Sequence, residues 1–278
     1  MDTQQFFSDV TTGKTQKPLR PWKPFFKQVP EKFNEVFNKY EGDFDKHIAT
    51  SIPMYREMQL ITGDAIVKAY EDKKHPYLID IAGSEGTWAK AITECSGGTI
   101  HTEVVDCNEQ MHEAFIKLRA PLGCNYFNGA FLESPNDTQV FKPEMPADVV
   151  HAGMAFQFMP FSRRTCIAEV KNSYLNEDGL FLIEEKVIPN QPREWFQNET
   201  LKNEFKKMYY SEEAIRQKQN SVVNNMDANL IRQDDLYGVL CLHFKHVHQY
   251  YSAGNFIGFA CSDKKDTINN FGYKTITF

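Results

Sequence analysis

The chain has 278 residues, 41% hydrophobic and 24% charged, which suits one large α/β domain with extra elements rather than two full domains or a disordered chain. Its formal net charge of -6 argues against tight non-specific nucleic-acid binding, which needs a strongly basic surface to neutralise phosphates. No apolar run approaches the roughly 18 residues of a membrane span, and the N-terminus lacks a signal-peptide core, so no membrane partner is expected. The six cysteines, Cys95, Cys107, Cys124, Cys166, Cys241 and Cys261, show neither metal-type spacing nor a disulfide framework, and a cytoplasmic setting is expected.

Residues 1–30 read as an extended arm: Pro18, Pro21, Pro24 and Pro30 break any helix, and Trp22, Phe25 and Phe26 can dock on the domain or on a second subunit. A homodimer is consistent with that arm. Helical patterns run from about Glu31 to Lys39 and from about Met54 to Glu71, with Pro53 placed in the first turn of the second. The run Tyr77-Leu78-Ile79-Asp80-Ile81 then suits a parallel strand buried on both faces.

A small-residue bend, Ala82 to Gly86, leads into a helix from Thr87 to Glu94. Further strands are predicted at Ile100–Val105, Asn125–Phe127, Ala147–His151 and Leu180–Glu184, with helices at Glu109–Leu118 and Arg163–Tyr174 between them. This alternation predicts a Rossmann-like, doubly wound α/β sheet. After a polar helical insert at about 193–237, His243–Tyr251 and Asn255–Cys261 read as strands, which makes the sheet mostly parallel with an antiparallel edge. The expected organisation is the arm, a domain over 31–262 carrying the insert above the cleft, and a C-terminal tail over 263–278.

In such a sheet, ligands bind at the carboxyl ends of the strands where the strand order reverses. Gly83, Ser84 and Gly86 let the backbone approach a ligand closely. Asp106 ends the second strand 20 residues after Gly86, where a carboxylate accepts the two ribose hydroxyls of a nucleoside. The bend lacks the G-x-G-x-x-G register of a dinucleotide site, Glu85 brings a carboxylate where a pyrophosphate would lie, and no P-loop is present.

Asp80-Ile81-Ala82-Gly83-Ser84-Glu85-Gly86 resembles the D-x-G-x-G-x-G motif of class I S-adenosylmethionine-dependent methyltransferases, with Ala82 and Ser84 in place of two glycines. The chain also resembles one branch of that superfamily, the carboxy-S-adenosylmethionine synthases of the tRNA wobble-uridine pathway. The matching pieces include Ser51–Tyr55, Val104-Val105-Asp106, Phe156–Met159, Leu175–Gly179, Glu185-Lys186, Tyr210-Ser211-Glu212, Gln217-Lys218 and Asn255-Phe256.

The resemblance implies S-adenosylmethionine as cofactor. Tyr55 would reach its methionyl end, Asp80, Ala82, Gly83, Ser84 and Gly86 would line it, Asp106 with Cys107 would hold the ribose, and Gly129 and Ala130 would flank the adenine. The chain departs from the branch where an acid is replaced by Ala130, an asparagine by Gly153, and an arginine by Gln219. That arginine pairs with the extra carboxylate of the carboxylated cofactor, and a neutral glutamine cannot replace a guanidinium–carboxylate fork in kind. Arg216 or Lys218 could stand in for it.

His151, ending the fourth strand, is the candidate general base, and Tyr210 a candidate for the acceptor pocket, with Tyr209 beside it. No metal site is expected: of His243, His246 and His248 only the last two share a strand face, and no carboxylate or thiol is suitably spaced. The primary reading is methyl transfer from S-adenosylmethionine to an unidentified acceptor, a small molecule favoured over nucleic acid. The alternatives are a carboxy-S-adenosylmethionine synthase-like enzyme using prephenate, and a non-catalytic S-adenosylmethionine-binding protein.

Overall fold

A computed structural model describes residues 44–117, 121–132, 139–159, 162–218, 229–272 and 276–277. The expected arm over 1–30, the helix at Glu31–Lys39 and Gln219 lie outside the described residues. In chain order the elements are α1 (Phe44–Ala49), α2 (Tyr55–Ala69), β1 (Tyr77–Ile81), α3 (Thr87–Cys95), β2 (His101–Asp106), α4 (Glu109–Lys117), β3 (Cys124–Asn128) and β4 (Ala147–Gly153). There follow α5 (Arg163–Glu169), β5 (Leu175–Ile188), α6 (Pro192–Lys207), α7 (Glu212–Lys218), β6 (Ile231–Arg232), α8 (Gln233–His243), β7 (His246–Ala253), β8 (Phe256–Ser262), α9 (Lys265–Phe271) and β9 (Ile276–Thr277).

The strands form one sheet in the order β3-β2-β1-β4-β5-β8-β7-β9, with β6 beside β5. β1 to β5 are parallel, whereas β8 runs antiparallel to both β5 and β7. This is the expected Rossmann-like α/β sheet. The order reverses between β1 and β4, which opens a crevice at their carboxyl ends. There Asp80 is in register with His151, and Gly153 with Glu184.

Alternation along each strand divides the core between the two faces of the sheet. Ile79, Ile81, Val150, Phe181 and Ile183 pack on one side with Phe156, Ile167 and Leu240. Leu78, Val149, Leu180 and Leu182 pack on the other with Met58, Trp88, Tyr250 and Phe271. Burial on both faces explains why the central strands read as apolar runs without a polar alternation.

Several boundaries differ from those expected. β5 begins at Leu175 and continues to Ile188, past the expected end at Glu184, because β8 pairs with it as far as Lys186. His243 closes α8 rather than opening a strand. Pro53 precedes α2 instead of lying in its first turn, since Met54 takes a left-handed φ of 56° and the helix starts at Tyr55. The Pro53 carbonyl accepts the Tyr251 hydroxyl at 2.8 Å.

The segment expected as a tail carries α9, which ends at Gly272 with φ 70°. Its Phe271 is 2% exposed and meets Tyr250 edge-on at 5.7 Å. Phe271→Ala is expected to cost about 3–5 kcal/mol, as for other buried aromatics. Urea unfolding would check this, and an unchanged midpoint would mean that α9 contributes little to the fold.

Candidate functional site

The bend after β1 is built from backbone geometry that glycine ordinarily supplies. Ala82, Ser84 and Gly86 take left-handed φ values of 54°, 53° and 69°. An L-residue there costs roughly 1–2 kcal/mol that glycine avoids, so Ala82 and Ser84 are held by their surroundings. Ala82 N–H donates to the Val105 carbonyl at 2.7 Å, and Gly86 N–H to that of Gly83 at 2.9 Å. At Gly83 a Cβ would lie 2.5 Å from Asp80 Oδ2, so the bend rests directly on that carboxylate.

Asp106 closes β2 beside the bend. Its Oδ2 accepts Ser84 N–H at 3.1 Å and its Oδ1 accepts Asn108 N–H at 2.9 Å. Burial pushes the carboxyl up to about 6, against the pull of these N–H donors. At neutral pH it is ionised, and each oxygen keeps capacity for a further donor. Cys107 follows it, exposed. Gly129 N–H donates to the Asp106 carbonyl at 2.9 Å, and Ala130 N–H to that of Gln139 at 2.9 Å. The bend, Asp106, Cys107, Gly129 and Ala130 thus follow the carboxyl ends of β1, β2 and β3, with Asp80 buried beneath the bend.

Next to β1, on β4, His151 is clamped between two acids. Its Nδ1 lies 2.7 Å from Asp80 Oδ1 and its Nε2 lies 2.9 Å from Glu184 Oε2. The residues are 7%, 3% and 0% exposed respectively, so the two carboxylates have lost their water. Burial alone would push the imidazolium down, but Glu184 and then Asp80 lift it to about 10. The Trp88 ring lies 4.0 Å from the imidazole, and Trp88 Nε1–H donates to the Gln59 carbonyl at 3.0 Å. Tyr250 donates its hydroxyl to Glu184 Oε1.

With a carboxylate oxygen facing each of them, both ring nitrogens are placed to act as donors, which favours the charged imidazole. This geometry favours a fixed cation at His151, the residue expected as general base. It also accounts for Gly153, where a Cβ would lie 2.7 Å from His151 Cε1. The imidazole occupies the room that a side chain at that position would need.

Tyr55 opens α2, and its hydroxyl accepts Gln59 Nε2–H at 2.9 Å. Burial, Asp45, Asp80 and Glu184 hold its phenol well above the usual range, which places it close to the buried acids. Tyr210 meets α1, the helix that precedes Tyr55 and whose Phe44 N–H donates to Glu85 Oε1 of the bend at 3.4 Å. The Tyr210 hydroxyl is 2.5 Å from Thr50 Oγ1 and 3.2 Å from His47 Nδ1, so it ties the α6–α7 corner to α1. The helical insert reaches β5 through Glu199, whose Oε1 lies 3.1 Å from Lys186 Nζ.

Glu184, Trp88 and Arg163 were not anticipated from the sequence. Arg163 donates through Nε and Nη2 to Glu185 Oε2 at 3.1 and 2.9 Å, while Glu185 Oε1 accepts Gln157 N–H at 3.0 Å. Gln157 Oε1 in turn accepts Lys186 N–H at 3.0 Å. The separately matched pieces Phe156–Met159 and Glu185-Lys186 are therefore one hydrogen-bonded unit. Two adjacent acids at the end of an apolar strand, Glu184 and Glu185, were the signal available.

No family model matches the chain. A carboxy-S-adenosyl-L-methionine synthase from a Nitratiruptor species is 24% identical over 245 residues, covering 87% of this chain and 98% of the relative. Among solved structures, the plantazolicin methyltransferase BpumL, in complex with a triazolic desmethylPZN analog and SAH, superposes with a TM-score of 0.56 at 10% identity, covering 84% of this chain and 92% of that one. An O-methyltransferase family protein from Burkholderia thailandensis gives 0.53 at 14% identity, covering 93% and 68%.

This chain has the class I methyltransferase fold. Within that fold, the strained bend, Asp106 and the His151 clamp all stand at the reversal point of the sheet. Among the described residues, no helix is long and apolar enough to cross a membrane.

The His151 clamp has a pH signature. A folded value raised from 6.5 to about 10 contributes stability that is complete below 6.5 and is lost as the pH rises through about 10. Thermal melts of the wild type and His151→Gln should differ by the equivalent of a few kcal/mol near neutrality, and the gap should narrow steadily towards about pH 10. A gap constant across that range would mean that the imidazole is not charged.

Proposed function

We propose that the protein is an S-adenosylmethionine-dependent methyltransferase whose acceptor is a small molecule or another unidentified group. The observation that carries this reading is the rim itself, a bend with glycine-like backbone next to a half-buried, ionised carboxylate that retains acceptor capacity. The donor set fits a nucleoside without phosphates. Asp106 would accept the ribose hydroxyls, the Ala82–Gly86 bend would pass beside the methionyl portion with Tyr55 near its end, and Gly129 with Ala130 would flank the base. Cys107 and Gly153 would line the same crevice.

When bound, the cofactor supplies a methyl group already activated by a sulfonium. The protein's part is alignment, which can lower the barrier by roughly 7–11 kcal/mol. A buried imidazolium with both N–H groups engaged supports positioning rather than proton abstraction. Any base that the acceptor requires must come from another residue or from the acceptor. The left-handed geometry kept by Ala82 and Ser84, and the steric reason for Gly153, favour a working pocket over an eroded, non-catalytic one. Tyr210, which holds the insert against α1, would line the acceptor side.

The likeness to a carboxy-S-adenosyl-L-methionine synthase favours a second reading, conversion of the cofactor with prephenate. Mass spectrometry of the nucleoside that copurifies separates the two: S-adenosylmethionine or S-adenosylhomocysteine supports methyl transfer, and the carboxylated compound supports the second reading. We also place the protein in the cytoplasm, read residues 31–262 as the methyltransferase domain, and regard a homodimer as consistent with the aromatic arm.

Asp106→Ala is expected to weaken S-adenosylhomocysteine binding by about 100-fold or more, the loss of two hydrogen bonds to a charged group. Because burial lifts this carboxyl to about 6, wild-type affinity should fall as the pH drops below that value and the acceptor oxygens become protonated. Calorimetric titration would check both, and unchanged affinity in the folded variant would remove the ribose assignment.

A further inference from the structure

The clamp around His151 has a feature that positioning alone does not need, an unbalanced charge. Asp80 and Glu184 bring two negative charges, and the imidazolium bonded to both brings one positive charge. The other polar groups facing this cluster are the hydroxyls of Tyr250 and Tyr55, the Tyr251 hydroxyl engaged with Pro53, and the Trp88 indole. The Asp106 carboxylate faces Asp80 from β2, and none of these groups among the described residues adds a cation. The cluster therefore carries one net negative charge, sealed from water on β1, β4 and β5.

That charge lies directly below the crevice. Asp80 Oδ2 underlies Gly83, at 2.5 Å from where a Cβ would stand, and the imidazole underlies Gly153 at 2.7 Å by the same measure. A charge held in a poorly screened region acts over several ångströms, far more strongly than in water. The methyl donor and its relatives differ in net charge. S-adenosylmethionine has a sulfonium, an ammonium and one carboxylate, and is singly positive. S-adenosylhomocysteine has lost the sulfonium and is neutral. A donor with an additional carboxylate is also neutral and places a negative group in the same crevice.

We propose that Asp80, His151 and Glu184 form a charge filter for the methyl donor, favouring a singly positive sulfonium over its neutral product and over a donor with a second carboxylate. This rests on the methyl-donor reading. Glu184 and His151 act as specificity-determining residues through the field of the cluster, without touching the reacting atoms. The consequence for turnover is weak retention of the product, because removing the methyl group from the sulfonium discharges the ligand.

The test is the ratio of dissociation constants for S-adenosylhomocysteine and S-adenosylmethionine, measured by calorimetry near neutral pH. The wild type should bind the sulfonium about tenfold or more tightly than the product. Glu184→Gln leaves Asp80 and the imidazolium as a neutral pair. Its ratio should collapse to within about threefold of unity, through loss of sulfonium affinity, with product affinity little changed. Asp80→Asn, on the other side of the imidazole, should collapse it likewise and serves if the first variant does not fold. Carboxylated S-adenosylmethionine should bind the wild type no more tightly than S-adenosylhomocysteine.

A wild-type ratio at or below unity overturns the filter without any variant, as does a folded Glu184→Gln protein that keeps the wild-type ratio. If the wild type binds neither nucleoside, the methyl-donor reading fails and takes the filter with it. If it binds both equally, the reading stands and the filter alone is rejected.

Discussion

Two carboxylates, Asp80 and Glu184, are buried beneath the carboxyl ends of β1 and β5, and the imidazolium of His151 on β4 bonds to one with each nitrogen. Removing an ionised carboxylate from water costs several kcal/mol, and a buried pair is tolerated only where a counter-charge and hydrogen bonds meet it. One side chain supplies both here, because β4 lies between the two strands that carry the acids. The interaction is thus a product of the topology. The same reversal of strand order that opens the crevice also places β1, β4 and β5 side by side.

Much of the local chain follows from that clamp. Gly153 has no room for a side chain because the imidazole fills it, and Gly83 has none because the Asp80 carboxylate does. Trp88 caps the imidazole and is anchored in turn by the Gln59 carbonyl, which links α3 to α2. Tyr250 extends the network to β7 through Glu184. Ala82 and Ser84 hold strained backbone between the Asp80 carboxylate on one side and Val105 and Asp106 on the other. Such strain persists where the surroundings over-determine the conformation, as they do in this bend.

The parts of this arrangement that the sequence discloses are those set by local spacing. An apolar run with one acid, a small-residue bend and a second acid 20 residues on are enough to place β1, the bend and Asp106. The clamp requires knowing which strands are neighbours. His151 and Glu184 stand 33 residues apart, and only the parallel pairing of β4 and β5 brings them together. Glu184 is not legible from spacing because it falls where the apolar run ends, whereas pairing with β8 carries that strand on to Ile188. Tyr210 shows the converse limit: the sequence places it on the insert, but only the fold shows its hydroxyl directed at Thr50 and His47 on α1.

Departures from a sequence motif also change meaning once the backbone is known. The bend has lost two glycines of D-x-G-x-G-x-G, yet the residues replacing them, Ala82 and Ser84, keep the positive φ values that glycine would adopt. In the proposed pocket the ligand would meet largely main chain, and a methyl or hydroxymethyl group there can be accommodated if it points away. Gly153 departs in the opposite sense, by losing a side chain, and the lost volume is filled by a charged ring two residues earlier on the same strand. Under the proposed charge filter the buried cluster would act on the ligand through a field, and a field discriminates among ligands by their total charge rather than by their shape.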